Sequence, residues 1–186
     1  MLDVKVFGHS FVRRLALYAV EHRSLDFDLD GDRFNVTFVA RGGLKVRQLF
    51  SLTQDVVGSD IVFLDVGSND ISVVEPVVLA DRVLAYASYL TVMAAVQRVI
   101  ISQMVFRNAS QSRYAVREDF NERVVTYSQY LKDAVASFDS VSFWCHRGVW
   151  SDWASYLGDG VHFNQEGNRK YYNSVRGAII AAANVL

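Results

Sequence analysis

The run Ile61-Val62-Phe63-Leu64-Asp65-Val66 is almost continuously apolar and is bounded by turn residues. A strand with one face in water alternates apolar and polar side chains. A strand without a polar face has to be covered on both sides, as the central strand of a parallel sheet is. Four shorter strand-like runs surround it, at residues 4–7, 35–39, 99–102 and 141–144. Between them lie segments with helical spacing. Phe11, Leu15, Tyr18 and His22 mark the first, with Arg13, Arg14 and Glu21 on outward positions. Leu44, Val46, Leu49 and Phe50 mark a short second one, and Leu79, Val83, Ala87, Leu90 and Ala94 a long third one. Phe120, Val124, Tyr127, Leu131 and Val135 mark a fourth, and Asn164 caps a last helix over residues 165–183. The long third helix begins at Pro76, which suits the first helical turn. Strand and helix therefore alternate about five times, which predicts an α/β fold with a parallel sheet and helices on both faces.

Composition narrows the alternatives. The 186 residues suit one domain, and no linker-like stretch divides them. The formal net charge is −1, without the basic excess of a dedicated nucleic-acid binder. Cys145 is the only cysteine, so no intramolecular disulfide can form. No apolar run approaches the ~20 residues that span a bilayer. The N-terminus enters a strand without a visible signal peptide, so a cytoplasmic location is expected, unless the chain is a domain of a longer protein.

In open parallel sheets, ligands bind at the carboxyl ends of the strands. Ser10, Gly43 and Asn69 follow strands one, two and three. Ser10 stands at a strand-to-helix corner, where its hydroxyl is held in the open and its N–H lies at the positive end of a helix. Alone, such a serine reads as a turn or cap residue. The second element is Asp159-Gly160-Val161-His162. Asp159 can accept from Nδ1–H of His162, which leaves Nε2 free to take a proton from Ser10. The third is Gly67-Ser68-Asn69-Asp70, where the Asn69 amide can donate to an oxyanion. The fourth is Arg41-Gly42-Gly43, where Gly43 can present an unobstructed N–H. Each reads as an ordinary turn when taken alone, and together they point to acyl transfer at Ser10.

Arranged in this order, the four segments resemble the SGNH hydrolase superfamily, the GDSL-type esterases and lipases. Gly8-His9-Ser10 is similar to the first block of that family, Gly43 (or Gly42) to the second-block glycine, Gly67 to Asp70 to the third block and Asp159 to His162 to the last. The resemblance covers residues 4 to about 172. It implies a flavodoxin-like three-layer α/β/α sandwich with a five-stranded parallel sheet, and hydrolysis of a short-chain, acetyl-type ester through an acyl-enzyme. Ser10 would be the nucleophile, His162 the base and Asp159 its orienting group. The Ser10 N–H, the Gly43 N–H and the Asn69 side chain would hold the oxyanion. The expected partner is a small ester, a lipid or an acetylated small molecule, and no cofactor or metal is expected. The family has aspartate where this chain has His9, which reads as an outward turn residue. The α/β-hydrolase elbow is excluded, because it needs glycine where Val12 stands. The first segment is also similar in character to platelet-activating-factor-acetylhydrolase-like domains, including those in the first open reading frame of some animal LINE-type retrotransposons. This leaves two further readings, a lipid- or RNA-associated accessory domain and a carbohydrate O-acetylesterase.

Weaker candidates complete the reading. Trp150, Trp153 and Tyr156 precede the Asp/His turn and read as an acyl-pocket wall, a homodimer contact or loop packing. Cys145 and His146 read as packing at the end of the fifth strand. Lys45, Arg47, Arg107 and Arg113 read as solvated charges or contacts to an anionic substrate. The aspartates at 26, 28, 30 and 32 lack the glutamate that would complete a calcium loop.

Overall fold

The structure, a computed structural model, describes residues 1–147 and 152–186. Five strands form one parallel sheet: β1 (Leu2–Gly8), β2 (Phe34–Ala40), β3 (Ile61–Asp65), β4 (Arg98–Ser102) and β5 (Val141–Trp144). Their spatial order is β2-β1-β3-β4-β5, the flavodoxin-like order. The topology reverses at β1, which lies between β2 and β3 (Val4 opposite Val36 and Ile61), and that reversal opens a crevice at the carboxyl ends.

Side-chain alternation along the strands separates two cores. Val62 and Leu64 of β3 and Val99 and Ile101 of β4 face helices α2 (Pro76–Val92) and α3 (Phe120–Ala134). Ile61, Phe63 and Ile100 face α1 (Ser10–Glu21) and α4 (Gln165–Ala183). The whole of β3 is buried, as its lack of a polar face requires. Burying each of its large apolar side chains is worth roughly 1.5–3 kcal/mol. The predicted apolar stripe of α2 is buried from Leu79 to Leu90, and Ala94 follows just past its end. In α3 the stripe is buried from Phe120 to Leu131.

Two expectations need correction. The short helix after β2 is a 3₁₀ helix, Val46–Asp55, in which Phe50 does not share the buried face expected of it. Its three-residue turn buries Val46 and Leu49 but leaves Phe50 59% exposed, where that ring meets Tyr86 and Tyr89 edge-on. His9 does not point outward. It is 1% exposed and caps α1, its Nδ1 accepting from the Phe11 N–H at 3.4 Å.

The aspartate-rich stretch is explained by turn chemistry. Asp26 and Asp30 accept from the backbone N–H groups of Asp28 and Asp32, and Asp28 accepts from the Ser24 hydroxyl. No helix among the described residues is long and apolar enough to cross a membrane.

Candidate active site

Ser10 is the first residue of α1, directly beyond the end of β1. Gly8 makes this corner possible. A Cβ there would lie 2.2 Å from the carbonyl oxygen of Asp65, so only glycine lets β1 run this close to the end of β3. The His9 N–H then donates to that same carbonyl at 3.2 Å.

The turn before α4 brings His162 to this corner. Gly160, at φ +75°, packs so closely on the 108–112 segment that a Cβ would meet the Asn108 carbonyl oxygen and the Ser112 nitrogen at 2.5 Å. Asn108 N–H donates to the Gly160 carbonyl at 2.7 Å, which pins the turn under β4's exit loop. Asp159 Oδ1 accepts from the N–H groups of Val161 at 3.0 Å and His162 at 2.7 Å. Its Oδ2 lies 3.0 Å from Nδ1 of His162, and Nε2 of that ring lies 3.1 Å from Oγ of Ser10. The three side chains thus form one hydrogen-bonded line across 152 residues of sequence.

With Asp159 ionised, Nδ1 of His162 is the donor and Nε2 is left to accept from the serine hydroxyl. Burial pulls the His162 pKa below its ordinary 6.5. The hydrogen bond to Asp159 opposes this, and the charges of Arg14 and Arg107 add to the lowering. For Asp159, burial alone would raise the pKa. The hydrogen bonds from the His162 and Val161 N–H groups and the imidazole outweigh it and hold the carboxyl at about 2. The line is therefore set with the carboxylate charged and the imidazole neutral at neutral pH.

The other two segments meet on the opposite side of the corner. The Asn69 Nδ2 donates to the Leu44 carbonyl at 3.0 Å, which fixes the amide next to Gly43 and leaves its second N–H free of that bond. Gly43 itself is exposed, at φ +71°. Asp70 Oδ2 accepts from Val46 N–H at 3.1 Å and ties the turn after β3 to the start of the 3₁₀ helix. Burial pushes the Asp70 carboxyl up, and that backbone N–H works against it.

Trp153 packs edge-on against Phe106 and lines a cavity with Arg107 and Asn121. Tyr156 carries the Lys170 ammonium 4.9 Å above its ring. Trp150 lies outside the described residues. The rings that flank His162 are Phe11, at 5.8 Å, and Tyr114, edge-on at 6.0 Å. Tyr114 gives no sequence signal, because it sits in an irregular stretch without periodicity. Arg14, assigned outward by spacing, reaches across to Asp159 at 4.0 Å. It is four residues past Ser10 on α1, on the same helical face, and that offset was the readable clue.

A buried polar layer supports the corner from below. Nε2 of His9 lies 2.8 Å from Ser68 Oγ and 3.5 Å from Asp65 Oδ1, and Asp65 also accepts from the Tyr171 hydroxyl. One step along the sheet, His146 bridges the hydroxyls of Ser102 and Ser174, each at 2.8 Å. His146 is therefore packing at the end of β5, as its position suggested, whereas Cys145 is exposed. The one charged residue of the apolar run, Asp65, was the sequence signal for this layer. Among the described residues, no group of three or more His, Cys, Asp and Glu side chains is placed to hold a metal ion.

No family model matches the sequence, and no curated protein matches it. Solved structures share its fold. A lipase/acylhydrolase from Enterococcus faecalis superposes with a TM-score of 0.73 at 17% identity, over 96% of this chain and 95% of that one. A GDSL-like lipase from Bacteroides thetaiotaomicron gives 0.72 at 15%, over 97% and 88%. An acetyl xylan esterase gives 0.71 at 18%, over 96% and 100%.

Proposed function

We propose that residues 1–186 are a single SGNH-type hydrolase domain that cleaves carboxylic esters through an acyl-enzyme on Ser10. The observation that carries this reading is the unbroken line from Ser10 Oγ to His162 Nε2 at 3.1 Å and from His162 Nδ1 to Asp159 Oδ2 at 3.0 Å. In the first half-reaction the hydroxyl proton passes to Nε2 as Oγ bonds to the carbonyl carbon. The tetrahedral intermediate then expels the alcohol, whose oxygen takes the proton back from His162. In the second, water gives its proton to Nε2, attacks the acyl carbon and releases the acid, returning the hydrogen to Ser10. Asp159 holds the tautomer and the charge of the imidazolium, without itself taking a proton.

The Ser10 N–H at the start of α1, the Gly43 N–H and the second N–H of Asn69 are the oxyanion donors in this reading. Removing one such donor costs about 10²–10³ in kcat in comparable hydrolases. The solved structures of similar fold include two lipases and an acetyl xylan esterase by name, so acyl lipids and acetylated sugars are the two natural panels beside a short-chain ester. None of those three is a retroelement protein by name, and a retroelement origin has no support from them.

The test pairs turnover with labelling. The wild type should hydrolyse short-chain p-nitrophenyl esters, and a fluorophosphonate should modify Ser10. Turnover no greater than that of Ser10→Ala across the panel, with binding to vesicles or RNA that survives the substitution, would favour a non-catalytic accessory domain instead.

A further inference from the structure

Three arginines stand near the Ser10–His162 pair, although the chain as a whole carries −1. Arg14 stands one helical turn past Ser10, its side chain 42% exposed and its Nη2 4.0 Å from Asp159 Oδ2. That distance is beyond a hydrogen bond. The carboxylate already takes three, from the Val161 N–H, the His162 N–H and the imidazole, so the donors of Arg14 are not committed to it. Arg113 lies 5.1 Å over the ring of Tyr114, the residue edge-on to His162, and donates to its hydroxyl at 3.0 Å.

Arg107 is the anchor. It is half-buried, lies 4.3 Å over the Phe120 ring and donates one Nη2 hydrogen to the Ser68 carbonyl at 2.8 Å. Among the described residues no carboxylate oxygen comes within 4.0 Å of its guanidinium. Of the acids around it, Asp65 accepts from the Tyr171 hydroxyl and Asp70 from the Val46 N–H, and Glu118 lines the same cavity without coming within 4.0 Å of the guanidinium. A partly desolvated cation without a counter-charge is costly, and an anion that enters the cleft relieves that cost. The planar guanidinium fork matches carboxylate and phosphate oxygens in particular.

We propose that the ester cleaved at Ser10 is itself anionic, with a carboxylate or phosphate on its acyl or alcohol part held by Arg107, Arg14 and Arg113. This rests on the esterase reading of the site. Matched probes isolate the charge: p-nitrophenyl butyrate against mono-p-nitrophenyl succinate for the acyl side, and methyl p-acetoxybenzoate against p-acetoxybenzoate and p-acetoxyphenyl phosphate for the alcohol side. The readout is the ratio of kcat/KM for the anionic over the neutral ester. In at least one pair that ratio should exceed about ten at low ionic strength and shrink with added salt, because exposed charges are screened.

Arg14→Gln, Arg107→Gln and Arg113→Gln should each lower the ratio about two- to fivefold, the effect of one partly exposed ion pair. Lys132→Gln, in the last turn of α3, should leave it unchanged. A ratio at or below one in every pair, in an enzyme that turns over the neutral ester and is labelled at Ser10, overturns the proposal and leaves the esterase reading standing. Absence of turnover on all the probes together with absence of labelling at Ser10 overturns both.

Discussion

Nε2 of His9 lies 2.8 Å from the hydroxyl oxygen of Ser68, so the residue before Ser10 is joined directly to the turn that carries Asn69. Because Nδ1 of the same ring accepts from the Phe11 N–H, Nε2 carries the hydrogen and donates. His9 thus caps α1 and spans two chain segments with a neutral imidazole. Burial lowers its pKa, Asp65 opposes that, and the nearby Arg107 and His162 charges reinforce it. His9→Ala should lose about 1 kcal/mol of stability, the usual worth of a helix N-cap. It should also lower kcat more than it raises KM, since the corner that holds Ser10 loosens. His9→Asn, which keeps a capping oxygen, should recover most of the stability, as urea unfolding would report. Equal stability of wild type and His9→Ala would remove the cap from this account.

The pH profile of the proposed hydrolysis follows from His162. Only the neutral imidazole accepts the serine proton, so kcat/KM should rise with pH and level off once the ring is deprotonated. Burial lowers its pKa, so the midpoint should fall below the ordinary histidine value of ~6.5. Asp159→Asn removes a raising influence and should move the midpoint further down, with kcat reduced by about 10⁴ by analogy with other triads. A midpoint above 7 in the wild type would count against this electrostatic picture.

Acid should also weaken the fold through His146. It is 1% exposed, and burial holds its pKa at about 4, against 6.5 when unfolded. Between these values the unfolded chain binds the extra proton, so stability is full above ~6.5 and is lost as pH falls toward 4. His9, lowered in the same direction, acts with the same sign. Thermal unfolding measured from pH 7 to pH 4 should show a falling Tm, and His146→Gln should flatten part of that slope. An unchanged slope in the variant would shift the effect to other groups.

Gly8→Ala tests the closeness of β1 and β3 at the site. The added methyl would meet the Asp65 carbonyl oxygen at 2.2 Å and a Val12 methyl at 2.8 Å. Backbone cannot yield as a flexible side chain does, and overpacking of this kind costs about 1–3 kcal/mol or more. Circular dichroism melts should show a clear fall in Tm together with lost activity. A variant as stable and as active as wild type would mean that the two strands are not in this register.

The two tiers of the molecule were not equally legible in the sequence. Apolar periodicity is a local property, so the strands, the buried stripes of α2 and α3 and the Asn164 cap could be read before any coordinates. The order of segments ending in Ser10, Gly43, Asn69 and the Asp159–His162 turn could be read in the same way, because a parallel sheet delivers strand ends to one edge. The exposure of Phe50 could not, since three- and four-residue helical turns differ by too little over so short a segment. Nor could the burial of His9, which looks like a polar turn residue until Ser68 and Asp65 arrive from β3 to satisfy it. The same holds for Tyr114 beside His162 and for the Arg107 guanidinium on the Ser68 carbonyl. What sequence alone determined was therefore the alternation of elements and which candidate groups stand at the carboxyl ends of the strands. Which side chains stand around those groups, and with what charge, was decided by tertiary contacts, because burial and pairing depend on segments far apart in the chain.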